Sequence, residues 1–212
     1  MNDIEIPAGG RLADWRPLLE SWQATLAQVV DHTHAQDAPY LHGEHGNSHL
    51  LATAASRLQG MSSMREVVGN RSSAQGRLDM CLLTDRRMDM VEAKYREFDL
   101  DDAIPRAHLL ADLALACRDA ASYRNEHRLF TSPSKATRRI GIVYVVPYFS
   151  SLAYDGAKLA GLLDFLRTCL AWDALACNFP EAARGLHYWG GRRLHPGVIA
   201  VASVVSEMPA TA

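Results

Sequence analysis

The sequence predicts an α/β fold, a mixed central sheet flanked by helices, on three observations. Apolar residues recur at helical spacing in four separated stretches, and short apolar runs bounded by turn residues lie between them. From Leu50 to Phe149 these alternate in the order helix, strand, strand, strand, helix, strand. The helix between the third and fourth strands is long enough for a parallel crossover, which makes the sheet mixed. At 212 residues and 48% hydrophobic the chain can bury one sizeable core, and no repeat, low-complexity tract or linker divides it. The expected organisation is a single domain over 1–212, with a core at about 44–149, a helical extension at 1–43 and a C-terminal helix, loop and strand at 150–212.

The elements follow in order. From Asp14 to about Val30, the residues Trp15, Leu18, Leu19, Trp22, Leu26, Val29 and Val30 mark an amphipathic helix. A histidine-rich polar stretch leads to a second helix through Leu50, Leu51, Ala54, Ala55 and Leu58, ending near Gly60. Met64 to Val68 reads as a short strand and Asn70 to Gln75 as a loop. Leu78 to Leu83 and Met88 to Ala93, separated by Thr84-Asp85-Arg86-Arg87, read as a β-hairpin. Asp102 to about Tyr123 is helical through Leu109, Leu110, Leu113, Ala114, Cys117 and Ala121. Arg139 to Phe149 is a buried strand, Lys158 to about Ala176 a helix, and Val198 to Val205 a last strand.

Charges inside the two hairpin strands single out a site. A turn at Asp85-Arg86 places Asp79 opposite Glu92, with Cβ atoms roughly 5 Å apart. Glu92 and Lys94 share a face because side chains alternate, so two carboxylates and an ammonium are expected to converge. Carboxylates facing each other repel unless a divalent cation lies between them, and carboxylate, carbonyl and water ligands suit Mg²⁺ or Mn²⁺. Continuing the second helix backwards from Leu58 through Ala55 and Leu51 brings Glu44 onto the same inward stripe, although Gly43 and Gly46 leave open a solvated glutamate in a loop. Glu66 and Glu20 are alternatives for that role.

The pattern Asp79-x(12)-Glu92-x-Lys94 within a hairpin resembles the signature of the PD-(D/E)xK, or restriction-endonuclease-like, nuclease superfamily. Leu78 stands where some members carry proline. The resemblance implies a restriction-endonuclease-like αβββαβ core and Mg²⁺- or Mn²⁺-dependent hydrolysis of phosphodiester bonds, as an endo- or exodeoxyribonuclease. Asp79, Glu92, Glu44 and the Ala93 carbonyl would be the metal ligands, Lys94 would act on the attacking water, and the products would carry a 5′-phosphate and a 3′-hydroxyl. The alternative is a binding module for nucleic acid or protein that keeps the fold without turnover.

Basic residues gather at Lys135, Arg138 and Arg139, and at Arg184, Arg192 and Arg193 around Leu186-His187-Tyr188-Trp189. Cations mixed with Trp189 suit phosphate contact and stacking, so Lys135, Arg138, Arg139, Arg192, Arg193 and Trp189 are the candidate nucleic-acid contacts. Tyr148, Tyr154 and Lys158 are further candidates. A net charge of −2 excludes a general affinity for polyanions, so any nucleic-acid surface is local. His32, His34, His42, His45 and His49 form a cluster in which His45 and His49 have chelating i, i+4 spacing, leaving a zinc-dependent hydrolase as a rival. Neither H-E-x-x-H nor H-x-x-E-H occurs. Four cysteines without CxxC spacing read as reduced, buried thiols, and the absence of a signal sequence or membrane-length apolar run reads as a soluble cytoplasmic protein. Nucleic acid, foremost DNA, is the expected partner, with no membrane; a homodimer stays open.

Overall fold

A two-residue turn organises the centre of the molecule. The computed structural model describes residues 2–34, 37–70, 75–102, 107–123, 136–185, 187–188 and 191–208. Thr84 Oγ1 accepts the backbone N–H groups of Arg86 and Arg87 at 3.4 and 3.1 Å and so closes the Asp85-Arg86 turn. The turn joins β3 (Gln75–Thr84) to β4 (Arg87–Asp99) as an antiparallel hairpin, and β2 (Met61–Asn70) pairs antiparallel on the far side of β3. From β4 the chain crosses through α3 (Ala107–Ala121) to β5 (Ala136–Tyr148), which runs parallel to β4. Helices α1 (Arg16–His32) and α2 (Gly43–Ser56) precede this series, and α4 (Gly156–Cys169) follows it. The sheet is extended by β6 (Ala174–Asn178), β9 (Val198–Met208) and an N-terminal strand, β1 (Asn2–Glu5). The seven strands lie in the order β1-β6-β9-β5-β4-β3-β2, beside a ribbon of β7 (His187–Tyr188) and β8 (Arg193–Leu194).

Alternation along the strands divides the core into layers. Ile140, Ile142, Tyr144 and Val146 of β5 pack with Trp15, Trp22, Leu26 and Leu51 from the α1 and α2 side. Val143 and Val145 pack with Leu109 and Leu113 of α3 and Leu159, Leu163 and Leu166 of α4. Leu78, Cys81, Met88, Met90 and Tyr123 form a smaller cluster. Gly141 lets α3 lie directly on β5, since a Cβ there would stand 2.5 Å from Cys117 N and 2.8 Å from the Ala116 carbonyl carbon.

Two expectations change. The helix expected to reach Ala176 ends at Cys169, and Ala174–Asn178 is a wholly buried strand. Its contiguous apolar run suits a strand covered on both faces: Ala174 and Ala176 join the α1 side, Leu175 and Cys177 the α4 side. The second helix starts at Gly43, which places Glu44 in its first turn. All four cysteines are free, with Cys81 and Cys177 buried but Cys169 exposed at the end of α4. Among the described residues no helix is long and apolar enough to cross a membrane.

Candidate active site

The hairpin has the predicted register, with Met80 paired to Val91 and Cys81 to Met90. Asp79 and Glu92 would form the next rung, but the ladder ends before it. The Ala93 N–H donates to Asp79 Oδ2 at 2.7 Å, so a side chain takes a donor on that edge of β4. The other edge of β3 is interrupted at the same level. Arg65 pairs with Met80 and Val67 with Leu78, while Glu66 between them has φ +52°. A non-glycine residue held there stores strain, about 1–3 kcal/mol in typical cases. Asp79 is therefore flanked at one level by Glu66 and Glu92, with the ladder open on both sides.

Lys94 takes the remaining main-chain group of Ala93. Its Nζ donates to the Ala93 carbonyl at 2.9 Å and lies 3.4 Å from Asp119 Oδ2 on α3 and 4.0 Å from Glu92 Oε2. Glu92 is 2% exposed. Arg96, two residues further along the same face, binds Asp112 of α3 through two bonds of 2.6 and 2.9 Å. The two carboxylates and the ammonium thus share a level of the sheet rather than one point: Lys94 sits with Glu92 and Asp119, and Asp79 turns to the Ala93 amide.

Helix α2 supplies the rest. Burial raises the pKa of Glu44, Asp79 and Glu66 add to the rise, and Lys94 and His45 oppose it. Among the described residues Glu44 itself makes no hydrogen bond or ion pair, unlike its neighbours. One turn on, Ser48 is buried against Tyr144, which is fully enclosed. Burial pushes the Tyr144 hydroxyl far above its usual range; Ser48 opposes this, Asp79 and Glu44 add to it, and Arg65 opposes it. Tyr144, Arg65 and Asp119 escaped the sequence reading, whereas Ser48 falls on the inward stripe that leads back from Leu51 to Glu44.

The donor set suits a hard cation, because Asp79, Glu92, Glu44 and the Ala93 carbonyl offer oxygen only. Among the described residues no group of three or more His, Cys, Asp or Glu side chains is gathered as a metal cage. Such a cage is not what Mg²⁺ requires, since it commonly takes one or two carboxylates and completes its shell with water and substrate phosphate. The histidines make separate contacts: His42 with Asp37 at 2.9 Å, His45 with Glu66 at 3.3 Å and His49 with Arg65 at 2.9 Å. Glu20 is exposed on α1 and Glu66 belongs to the opened rung.

The basic candidates divide. Lys135 and Trp189 lie outside the described residues. Arg138 is corrected to an internal role: its side chain is 4% exposed, it binds Asp89 at 2.8 and 2.6 Å and Asp14 at 2.8 Å, and it donates to the Arg11 carbonyl. Arg139 is partly buried, donates to Ser206 Oγ at 3.1 Å and has its pKa lowered by burial. Arg193 pairs with Glu97 at 2.5 Å and lies 4.4 Å over the Tyr148 ring, while Arg192 is exposed. Lys158 pairs with Asp101 at 2.7 Å, and Arg184 stands 5.6 Å from the Tyr154 ring centre. Comparison with known proteins gives no match, whether to a family model, a curated protein or a solved structure.

Proposed function

We propose that the protein is a Mg²⁺- or Mn²⁺-dependent nuclease of the restriction-endonuclease-like type that hydrolyses phosphodiester bonds, foremost in DNA. The observation that carries this reading is the meeting of Asp79 with Glu92-Ala93-Lys94 where the ladder opens, with the Lys94 ammonium against the Ala93 carbonyl. A cation already favours that carbonyl. The order α2, β2, β3, β4, α3, β5, with β4 and β5 parallel, supports the αβββαβ core.

Asp79, Glu92, the Ala93 carbonyl and Glu44 would hold the metal ion, which when bound supplies an acidified water and positive charge against the phosphate. The Ala93 amide fixes the orientation of the Asp79 carboxylate. Lys94, a compact ammonium with three donors, orients the attacking water and stabilises the phosphate oxygens. Burial and its acidic neighbours make Glu44 more easily protonated than an ordinary glutamate, and positive charge nearby opposes that.

The test is incubation with linear, circular and single-stranded DNA and with RNA, in Mg²⁺, Mn²⁺ or chelator. DNA should be cut in Mg²⁺ and spared in chelator. Asp79→Ala and Glu92→Ala should abolish cutting in protein that still melts cooperatively. Full Mg²⁺-dependent activity in either variant would sink the site assignment.

A further inference from the structure

Beside Asp79, on the α2 side of the sheet, stands an arginine whose charge no carboxylate among the described residues answers. Arg65 pairs with Met80, one rung from Asp79, and Met80 packs in the α1 and α2 layer. Its Nη1 meets His49 Nδ1 at 2.9 Å and its Nη2 donates to the His45 carbonyl at 3.3 Å, so α2 holds the guanidinium at two points. Neither partner is an anion. His49 Nδ1 meets the guanidinium as an acceptor, through its lone pair. Among the described residues no carboxylate lies within ion-pairing distance of Arg65, although Glu66 next to it pairs with both His45 and Arg77.

Arg65 Nε is buried without a hydrogen-bond partner among the described residues, and close by the Ser48 and Tyr144 hydroxyls lie against each other. Ser48 is 3% and Tyr144 0% exposed, and Tyr144 lies within electrostatic reach of Arg65, Asp79 and Glu44. Buried polar atoms are nearly always paired, so the unpaired Arg65 Nε calls for a cause. A preoriented fork of N–H donors fits an anion bearing several oxygens, for which arginine is the preferred partner. Glu44, Glu66, Asp79 and Glu92 together repel a phosphate, and Arg65 adds to the positive charge of Lys94 that offsets them.

We propose that Arg65 is the phosphate-receiving arm of the site and holds a non-bridging oxygen of the DNA phosphodiester beside Asp79. This rests on the nuclease reading for the identity of its ligand. The α2 contacts with His45 and His49 keep the guanidinium in place before DNA arrives, which reduces the ordering cost of binding.

The experiment is fluorescence anisotropy with duplex DNA in chelator, over a salt series, for the parent, Arg65→Ala, Arg65→Lys and, as a control of equal charge, the exposed Arg16→Ala. Arg65→Ala should bind about tenfold more weakly, as loss of a charge-assisted hydrogen bond predicts, and should lose about one unit of salt slope. Arg65→Lys should regain the slope without the full affinity, because a point charge lacks the fork. Arg16→Ala should stay within about twofold, since an exposed charge away from contact adds little. If Arg65→Ala does not fold, Arg65→Gln, which keeps a donor for His49 without the charge, replaces it. Parent-like affinity and slope in the Arg65 variant, or an equal loss in Arg16→Ala, overturns the proposal. Arg65-dependent binding by a parent that cuts nothing overturns the nuclease reading alone; cutting and binding indifferent to Arg65 overturn this inference alone. A parent that neither binds nor cuts overturns both.

Discussion

Replacing Arg138 by methionine separates a structural arginine from a DNA contact. The guanidinium grips Asp89 with bonds of 2.8 and 2.6 Å, and the two side chains are 4% and 6% exposed. Asp14, its second partner, is 39% exposed and adds little, as solvent-screened pairs do. Removing one partner of a buried pair costs about 3–5 kcal/mol, because the other charge stays behind in a poor solvent. Asp89 would keep the Trp15 indole N–H at 2.8 Å and Arg87 at 3.2 Å, which places the cost near the lower end. An unfolding entropy of about 2.1 cal/mol/K per residue gives roughly 0.45 kcal/mol/K for this chain, so Arg138→Met should melt about 7 °C below the parent. A double variant with Asp89→Asn should lose less than the sum of the single losses, since the stranded charge is gone. Calorimetry measures the shifts, and DNA anisotropy below the melting range should give parent-like affinity. A variant that melts within about 2 °C of the parent, under 1 kcal/mol, yet binds DNA tenfold more weakly would refute the structural assignment.

Glu44→Gln tests the cost of the acidic cluster. The folded pKa of Glu44 is raised, so its contribution is fully present below the ordinary value of 4.5 and is lost as pH rises through the folded pKa. Without divalent cations the variant should melt above the parent at pH 8 and level with it at pH 4, and Mg²⁺ should raise the parent more than the variant; a parent that melts higher at pH 8 in chelator contradicts this. Gly141→Ala should cost about 1–3 kcal/mol, or roughly 2–7 °C, because its Cβ meets α3 backbone at 2.5 and 2.8 Å that cannot swing aside. A neutral effect in thermal melts would mean that α3 is loosely seated on β5. Lys94→Ala should lower single-turnover cutting on the order of 10²- to 10⁴-fold with little change in DNA affinity, and Lys94→Arg should not restore it. Equal rates for parent and Lys94→Arg would reduce Lys94 to a counter-charge.

What the sequence disclosed follows the range of the interactions involved. The hairpin was legible because its turn, its two short runs and its register all lie within Leu78–Ala93, and Glu44 was reachable because helical spacing extends a stripe backwards from Leu51. Ala174–Asn178 was not, since an unbroken apolar run serves a buried strand or a buried helix equally well. Arg138 was misread because its partners lie 49 and 124 residues away, and a lone arginine before a strand looks the same whether it meets DNA or an aspartate. Asp89 sharpens the point. It lies in the same hairpin as Asp79, is equally out of place in an apolar strand, and is answered in full by a buried guanidinium. Among the described residues Asp79 has a backbone amide and acidic neighbours, while Arg65 one rung away pairs with no carboxylate. A charge within a strand therefore does not distinguish scaffold from site. Whether the fold has already compensated that charge does, and the charges left unanswered here lie around one opened rung, where a cation and a phosphate would each satisfy what the chain leaves over.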